Sequence, residues 1–387
     1  MVGGGVFGTT AALELRSRGY RVTLIDRGRI PHPDASSTDV SKVIRMDYGS
    51  DVFYHELAEA AIEGWDRWNS DWPQPLYHTD QFLVLSSGGM KPGGFEYESH
   101  HVLRDRGYEV ERLDGQSLSQ RFPAWNGDRY ADGYLSPRGG WAESGAVVSR
   151  LHDLCMAAGV QTRRSTFSGL VSSDSRVRGI RTQSGESLPA DQVLICAGAW
   201  TPTLLPWMRA MLRTIAQPVL HFGVADPDEF RGDHFPPFAA DIAGSGWYGF
   251  PALDDGRVKL GHHGAGREVT PDDRGEVGAD HVEMARAFLA ESIPGLANAR
   301  VVDTRVCLYC DSHDGDLFID RDPDREGLTV AAGGSGHAFK FAPLIGSIIA
   351  DALEGVPNQW GHRFSWRLAG REASEEARLQ IPKGPLA

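Results

Sequence analysis

The stretch Gly3-Gly4-Gly5-Val6-Phe7-Gly8, with Asp26 behind it, decides how this chain reads. Its pattern is G-x-G-x-x-G. A helix-like run over 9–17 follows, then a turn at Gly19, and a strand-like run over 20–26 ends on the acid. The glycines permit a tight turn and let backbone approach a pyrophosphate. The helix N-terminus offers amide donors and a positive dipole end, and an acid about 20 residues on accepts from a ribose hydroxyl. The spacing therefore predicts a dinucleotide-binding βαβ unit; the other reading, a glycine-rich loop with no ligand, leaves the helix and the acid unexplained. The apolar strand that should precede the glycines is reduced to Met1-Val2. A start placed too late, or a shortened chain, is expected on that ground, with cofactor affinity and stability lowered if nothing precedes Met1.

The chain has 387 residues, which fits two domains or one with a large insertion. With 41% hydrophobic and 24% charged residues it has the composition of a soluble globular protein. A net charge of −13 argues against nucleic acid and against an anionic membrane surface as partners. The best apolar run, 342–353, is interrupted by Pro343, Gly346, Ser347 and Asp351, and falls short of the roughly 20 residues that span a bilayer. The N-terminus lacks the basic and apolar parts of a signal peptide. Four cysteines do not make a disulfide framework, so a reducing compartment is expected. The C-terminal Gly384-Pro385-Leu386-Ala387 is not a Ser-Lys-Leu type address. These features predict a cytoplasmic monomer without a bound metal.

Beyond the first unit, 29–37 reads as a polar loop and 51–68 as an amphipathic helix, with Phe53, Leu57, Ala60, Ala61 and Trp65 at helical spacing. Strands are expected at 81–86, 133–136, 170–182, 192–197, 258–263 and 327–332, with strand-rich sequence over 220–251 and helices at 145–159 and 280–292. The glycine motif at the start, the run Val193-Leu194-Ile195-Cys196-Ala197-Gly198-Ala199-Trp200 and the cluster Gly333-Gly334-Ser335-Gly336 lie far apart in sequence. One α/β, Rossmann-like nucleotide domain assembled from discontinuous segments 1–40, 145–212 and 301–387 would unite them. The segments 41–144 and 213–300 would then build a second, strand-rich substrate domain.

The chain resembles the flavin-dependent amine oxidases of the monomeric sarcosine oxidase family. That family includes N-methyltryptophan, pipecolate, saccharopine and fructosyl amino acid oxidases. The resemblance runs from Gly3 to about Leu353. It rests on Gly3–Gly8 with Asp26, on Lys42-Val43-Ile44-Arg45-Met46-Asp47-Tyr48-Gly49, on Ala197-Gly198-Ala199-Trp200 and on Tyr248-Gly249-Phe250-Pro251. Val258-Lys259-Leu260-Gly261-His262-His263, Cys307-Leu308-Tyr309, Phe318-Ile319-Asp320 and Gly336-His337-Ala338-Phe339-Lys340-Phe341 complete it. The resemblance implies FAD rather than NAD, held by Gly3, Gly5, Val6, Phe7, Gly8, Asp26, Arg27, Ser37, Lys42, Ala197, Gly198, Trp200, Gly334, Gly336, His337 and Lys340.

It also places Cys307 where the family joins a cysteine sulfur to the flavin 8α-methyl, with Arg305 nearby in sequence to lower the thiol pKa. Cys307 and Cys310 form C-x-x-C, but no second pair completes a zinc site, and residues three apart on a strand face opposite ways. Cys155 and Cys196 read as small buried hydrophobes. Lys259 reads either as an outward strand lysine or, by the resemblance, as a fixed cation over the flavin that stabilises developing superoxide. Arg45 and Lys340 match the cations that hold the substrate carboxylate; arginine pairs with it bidentately and lysine adds a point charge. Lys42 joins them on one face if 42–45 is helical, although Lys-x-x-Arg is also a common solvated helix face. Tyr248, Tyr309, His263 and His337 would line the pocket, or are satisfied core residues.

The implied reaction binds a secondary amino acid by its carboxylate, oxidises the C–N bond to an imine that water hydrolyses, and reduces oxygen to hydrogen peroxide. No general base is evident in the sequence; nearby cations favour the neutral amine. Lys42 stands where the sarcosine oxidases carry arginine, and Asp39-x-x-Lys42 is closer to the fructosyl amino acid oxidases. An acid-and-base lined entrance would suit a hydrophilic N-substituent, fructosyl or saccharopine-like, over sarcosine or pipecolate. A flavin dehydrogenase with another acceptor, an NAD-dependent dehydrogenase and a non-catalytic flavoprotein are the other readings.

Overall fold

The computed structural model describes residues 1–368, so the last part of the predicted segment 301–387 and the C-terminal tetrapeptide lie outside the described residues. The first sheet is assembled from chain segments far apart in sequence. Thr23–Asp26 pairs in parallel with Gln161–Arg164, and Val193–Ile195 pairs in parallel with Leu328–Ala332, which Phe318–Arg321 flanks antiparallel. Val2 joins the halves: it forms parallel bridges to both Ile25 and Ile195. Its N–H donates to Leu194 and its carbonyl accepts from Cys196, each bond at 2.8–2.9 Å. Val193–Ile195 and Leu328–Ala332 are buried throughout, as fits the covered centre of a parallel sheet, while Gln161–Arg164 is a polar, mostly exposed strand.

Helix Val6–Ser17 starts directly after the glycine turn and buries Val6, Ala11, Ala12 and Leu15. Its small residues admit a second helix, Ala342–Glu354, at close range. A Cβ on Gly346 would stand 2.6 Å from the Thr10 carbonyl oxygen, so backbone meets backbone there. Helix Val52–Asp71 is capped by Asp51, whose carboxylate accepts from the Tyr54 N–H at 3.2 Å. Of the face the periodicity predicts, Leu57, Ala61 and Trp65 are buried and Phe53 and Ala60 half-buried, while Tyr54 and Ala58 are buried beside them.

A second sheet of nine strands supplies the wall of the site. Its central strand, Leu212–Gly223, pairs antiparallel with Arg257–His262 on one side and with Arg300–Ser312 on the other. Trp247–Phe250, Phe238–Ala240, Phe82–Ser86, Asp132–Ser136 and Glu111–Leu113 continue it outward. The run 170–182, expected as one strand, is a hairpin, Phe167–Ser173 with Arg176–Thr182, turned at Asp174 with φ +55°. The run 220–251 is strand-rich as expected, with three strands separated by loops and short helices. The condition that 42–45 be helical is not met: Lys42–Ile44 is a strand, antiparallel to Gly140–Ala142, and the β-branched Val43 and Ile44 favour that pairing. Among the described residues no helix is long and apolar enough to cross a membrane.

The contact at Gly346 makes a prediction. Gly346→Val drives a side chain into the Thr10 backbone, and overpacking of this kind costs about 1–3 kcal/mol, readable as a lowered denaturation midpoint. An unchanged midpoint would mean that the two helices separate freely.

Candidate active site

A cavity of about 280 Å³ opens along the glycine turn. Gly3, Gly5, Val6, Phe7, Asp26, Arg27, Ser37, Lys42, Ala197, Gly198, Trp200, Cys307, Gly334 and Gly336 all line it. The three motif glycines divide the work. Gly3 turns with φ +101°, and a Cβ on it would lie 2.4 Å from the Cys196 carbonyl oxygen. Gly5 borders the cavity as N-cap of the first helix. Gly8 does not line the cavity; a Cβ there would stand 1.8 Å from the Gly3 oxygen, so its absence seats the helix on the turn. The first-turn amides of that helix face the cavity end without intrahelical acceptors; the Val6 N–H donates to Ser37 Oγ at 3.2 Å.

Asp26 fixes the turn from behind. Its Oδ2 accepts from the Gly4 N–H at 2.8 Å and its Oδ1 from the Gly28 N–H at 2.9 Å. Each oxygen keeps a lone pair for a ligand hydroxyl. Arg27 pairs with Asp272 at 2.5 Å, and Trp200 Nε1 donates to the same carboxylate oxygen at 2.9 Å. Asp272 and His32 at this rim lay outside the sequence reading, since nothing in their local sequence marks them.

A smaller pocket of about 70 Å³ adjoins the first and shares Lys42, Tyr309, Gly336 and Phe339 with it. Arg45, Lys259, Tyr248, His263, His337 and Lys340 line it, among Val43, Phe82, Phe238, Ile242 and Phe250. His337 and Lys340 are thus found in the second pocket and not among the residues lining the first. The 3₁₀ turn Ala338–Phe341 explains this: residues three apart eclipse, and Lys340 Nζ folds back on the His337 carbonyl at 2.8 Å.

Tyr48 organises the cations. Lys340 Nζ donates to its hydroxyl at 2.8 Å, and that hydroxyl bonds His337 Nδ1 at 2.9 Å. His337 Nε2 sits 2.9 Å from the Gly315 carbonyl, which only accepts, so Nε2 carries the proton and Nδ1 accepts from Tyr48. The Arg45 guanidinium lies 4.8 Å from the Tyr48 ring centroid and 5.5 Å from that of Phe95. Arg45 is buried, and its Nη1 has no partner among the described residues. A buried guanidinium with an open donor is a ready anion site.

Asp39 is the second centre. Lys259 Nζ donates to Asp39 Oδ2 and to the Ser41 carbonyl, both at 2.6 Å, and Lys42 Nζ reaches the same Oδ2 at 3.2 Å. Burial alone would raise the Asp39 carboxyl, but the ammonium groups of Lys259 and Lys42 hold it well below the usual range. Burial lowers Lys259 to about 8 against the pull of Asp39. The Lys42 ammonium loses to burial but gains more from charge on Cys307 and Asp39, and ends above its ordinary value. Lys259 is 1% exposed, which removes the outward-facing alternative.

Two expectations change here. The cation measured on the Cys307 sulfur is Lys42, with Nζ 3.9 Å from Sγ; Arg305 spends its terminal nitrogens on the Thr38 and Ala35 carbonyls. Asp39 lines no entrance: it is 5% exposed and committed to Lys259 and Lys42. Cys155, Cys196, Cys307 and Cys310 are all free and buried.

A glycine-turned, helix-capped cavity joined to a small cation-lined pocket defines a dinucleotide-dependent redox protein. The family profile described as FAD dependent oxidoreductase, DAO, matches residues 1–352, and the chain belongs to that family. It is 29% identical over 368 residues to the monomeric sarcosine oxidase of Bacillus sp. (strain B-0618), covering 92% of each chain. It is 29% identical over 364 residues to the N-methyl-L-tryptophan oxidase of Salmonella agona (strain SL483), covering 92% of this chain and 95% of that one. The crystal structure of the fructosamine oxidase Amadoriase II from Aspergillus fumigatus matches with TM-score 0.84 at 24% identity, over 98% of this chain and 93% of that one. The glycine cradle, the open helix end and the Asp26 carboxylate fit the dinucleotide FAD.

The Asp39 pair predicts a pH signature. Removing one partner of a buried pair costs about 3–5 kcal/mol, so Asp39→Asn should be less stable than the parent at pH 7 by that order. A carboxylate depressed in the folded state contributes stability above its unfolded value of about 3.9 and loses it as the pH falls. The gap between parent and Asp39→Asn should therefore close on acidification below about pH 4 in denaturant titrations. A gap independent of pH would exclude the ion pair as its source.

Proposed function

We propose that this protein is an FAD-dependent oxidase of secondary amino acids, with oxygen as the electron acceptor. The observation that carries the proposal is the buried Arg45 guanidinium with its open donor, beside Lys340 and next to the cofactor cavity. The relatives named as oxidases of sarcosine and N-methyltryptophan support it. FAD, when bound, supplies the hydride acceptor. Arg45 and Lys340 hold the substrate carboxylate, with Tyr48 steering Lys340. Tyr248, Tyr309 and His263 orient the amine and exclude water. The cations disfavour a protonated amine, so no residue need act as general base. Lys259, with two of its three donors fixed on Asp39 and Ser41, offers preorganised positive charge to oxygen as it is reduced. The segments 1–40, 145–212 and 301–387 carry the cofactor, and 41–144 with 213–300 carry the substrate. Tyr309, His337 and Lys340 reach the substrate pocket from the third cofactor segment, and Lys42 reaches the cofactor cavity from the first substrate segment.

The substrate favoured is a compact one. The second pocket is small and walled by Phe82, Phe238, Phe250, Phe339 and Ile242, and the Asp39 that would have made a hydrophilic entrance is buried. A short apolar or cyclic N-substituent fits that wall better than a sugar-derived or dicarboxylic one. A peroxide-coupled panel of sarcosine, pipecolate, saccharopine and fructosyl-glycine should rank the first two above the others by about tenfold or more in kcat/KM. Peroxide should match substrate consumed. Flavin bleaching without peroxide would mean a dehydrogenase, and no bleaching with any secondary amino acid would end the proposal. Arg45→Gln should raise KM about 10–100-fold, the size of a lost charged hydrogen bond.

Cys307 is proposed as a covalent anchor through the flavin 8α-methyl. The sulfur–carbon bond forms with loss of the thiol proton and one methyl proton, and the two electrons pass through the cofactor to oxygen, giving peroxide. Lys42 Nζ stands 3.9 Å from the Sγ that would form the bond. Acid-precipitated protein should stay yellow, and Cys307→Ser should release its flavin on precipitation; a colourless parent pellet refutes the linkage.

A further inference from the structure

Four residues of the large sheet stand in one cross-strand row. Asp303 pairs in register with His221, His221 with Lys259, and Lys259 with Phe250, on successive neighbouring strands. Directly opposed residues point to the same face, with Cβ atoms about 4.5–5.5 Å apart. The row runs from an exposed end to a buried one: the Asp303 side chain is 53% exposed, His221 and Lys259 each 1%. His221 Nδ1 lies 3.7 Å from Asp303 Oδ2, and neither ring nitrogen has a hydrogen-bond partner among the described residues. A buried imidazole with both nitrogens unpaired costs stability, and an apolar side chain would fill the place more cheaply.

We propose that His221 is a proton relay between solvent at Asp303 and the buried Lys259 ammonium, restoring to Lys259 the proton that it gives to oxygen. The destination of the proton rests on the oxidase reading above; the relay itself does not. Dioxygen takes two electrons and two protons to become hydrogen peroxide. The electrons and one proton come from the reduced cofactor; the second proton comes from Lys259. The neutral imidazole accepts a proton at one nitrogen and releases one from the other, so it ends neutral and the proton lost by Lys259 is replaced from water. The charged groups acting on His221 are Lys259, Asp39, Asp303 and Arg257, with Asp255 beyond. Burial and the Lys259 charge lower its pKa to about 4, so the ring is neutral at physiological pH and free to shuttle.

Lysine-15N-labelled holoenzyme provides the test, because the chain's lysines are only Lys42, Lys91, Lys259, Lys340 and Lys383. The Lys259 Nζ resonance is identified by its loss in Lys259→Met. His221→Leu should slow hydrogen exchange at Lys259 Nζ about tenfold or more and leave Lys340 unmoved; Asp303→Asn should slow it less, in the same direction. Reoxidation of the reduced holoenzyme by oxygen should slow and show a larger solvent deuterium effect, and imidazole should restore it in His221→Gly. Unchanged exchange at Lys259 in both His221→Leu and Asp303→Asn overturns the relay. If His221→Leu does not fold, Asp303→Asn, altered only at the surface, decides. If Lys259→Met reoxidises as fast as the parent, delivery to oxygen is overturned, independently of the exchange result.

Discussion

A single buried carboxylate holds the centre of this molecule. Asp39 takes the Lys259 ammonium on one oxygen and shares that oxygen with Lys42, so two cations from different elements are tied to one loop. Lys259, 1% exposed, could not be kept charged at such depth alone, because isolating an ammonium from water costs several kcal/mol; Lys42, with its side chain 19% exposed, depends on the carboxylate less. Remove the carboxylate and the positive charges of Lys42 and Lys259 repel across the junction of the two cavities. The cluster is therefore a structural necessity before it is a chemical device. It also sets which way the site is polarised: cations toward the pocket, their counter-charge behind.

Much of the cofactor cavity was legible in the chain because its signals are local. A glycine turn, a helix start and an acid at the end of the next strand sit within one βαβ unit, and each is dictated by its neighbours in sequence. The amphipathic helix Val52–Asp71 was legible for the same reason. Lys42 and Arg45 show where local reading stops. Their spacing of three suits a helix, but Lys42–Ile44 finds an edge to pair with in Gly140–Ala142, and tertiary pairing overrode the pattern.

What was hidden was the pairing of polar groups across long separations. Tyr48 was quoted within a motif, yet its part in joining Lys340 to His337 depends on a contact spanning 289 residues or more. The partnership of Asp39 with Lys259 spans 220. The register that aligns Asp303, His221 and Lys259 is a property of three strands together, and no window of sequence contains it. His337 and Lys340 were assigned to the pocket from the family resemblance, but only the 3₁₀ turn shows why they serve the second cavity rather than the first.

The bridging position of Val2 has a consequence for biosynthesis. Its two partners are Ile25 and Ile195, and the strand bearing Ile195 is completed in turn by Leu328–Ala332. The nascent glycine turn thus emerges long before the strands that enclose it. At about 5–20 residues per second, the last of these strands is made some 15–65 s after the first. Until Leu328–Ala332 is made, the buried Val193–Ile195 strand keeps one edge without its native partner. That open edge is a place where the unfinished sheet can pair with another chain before its own last strand arrives.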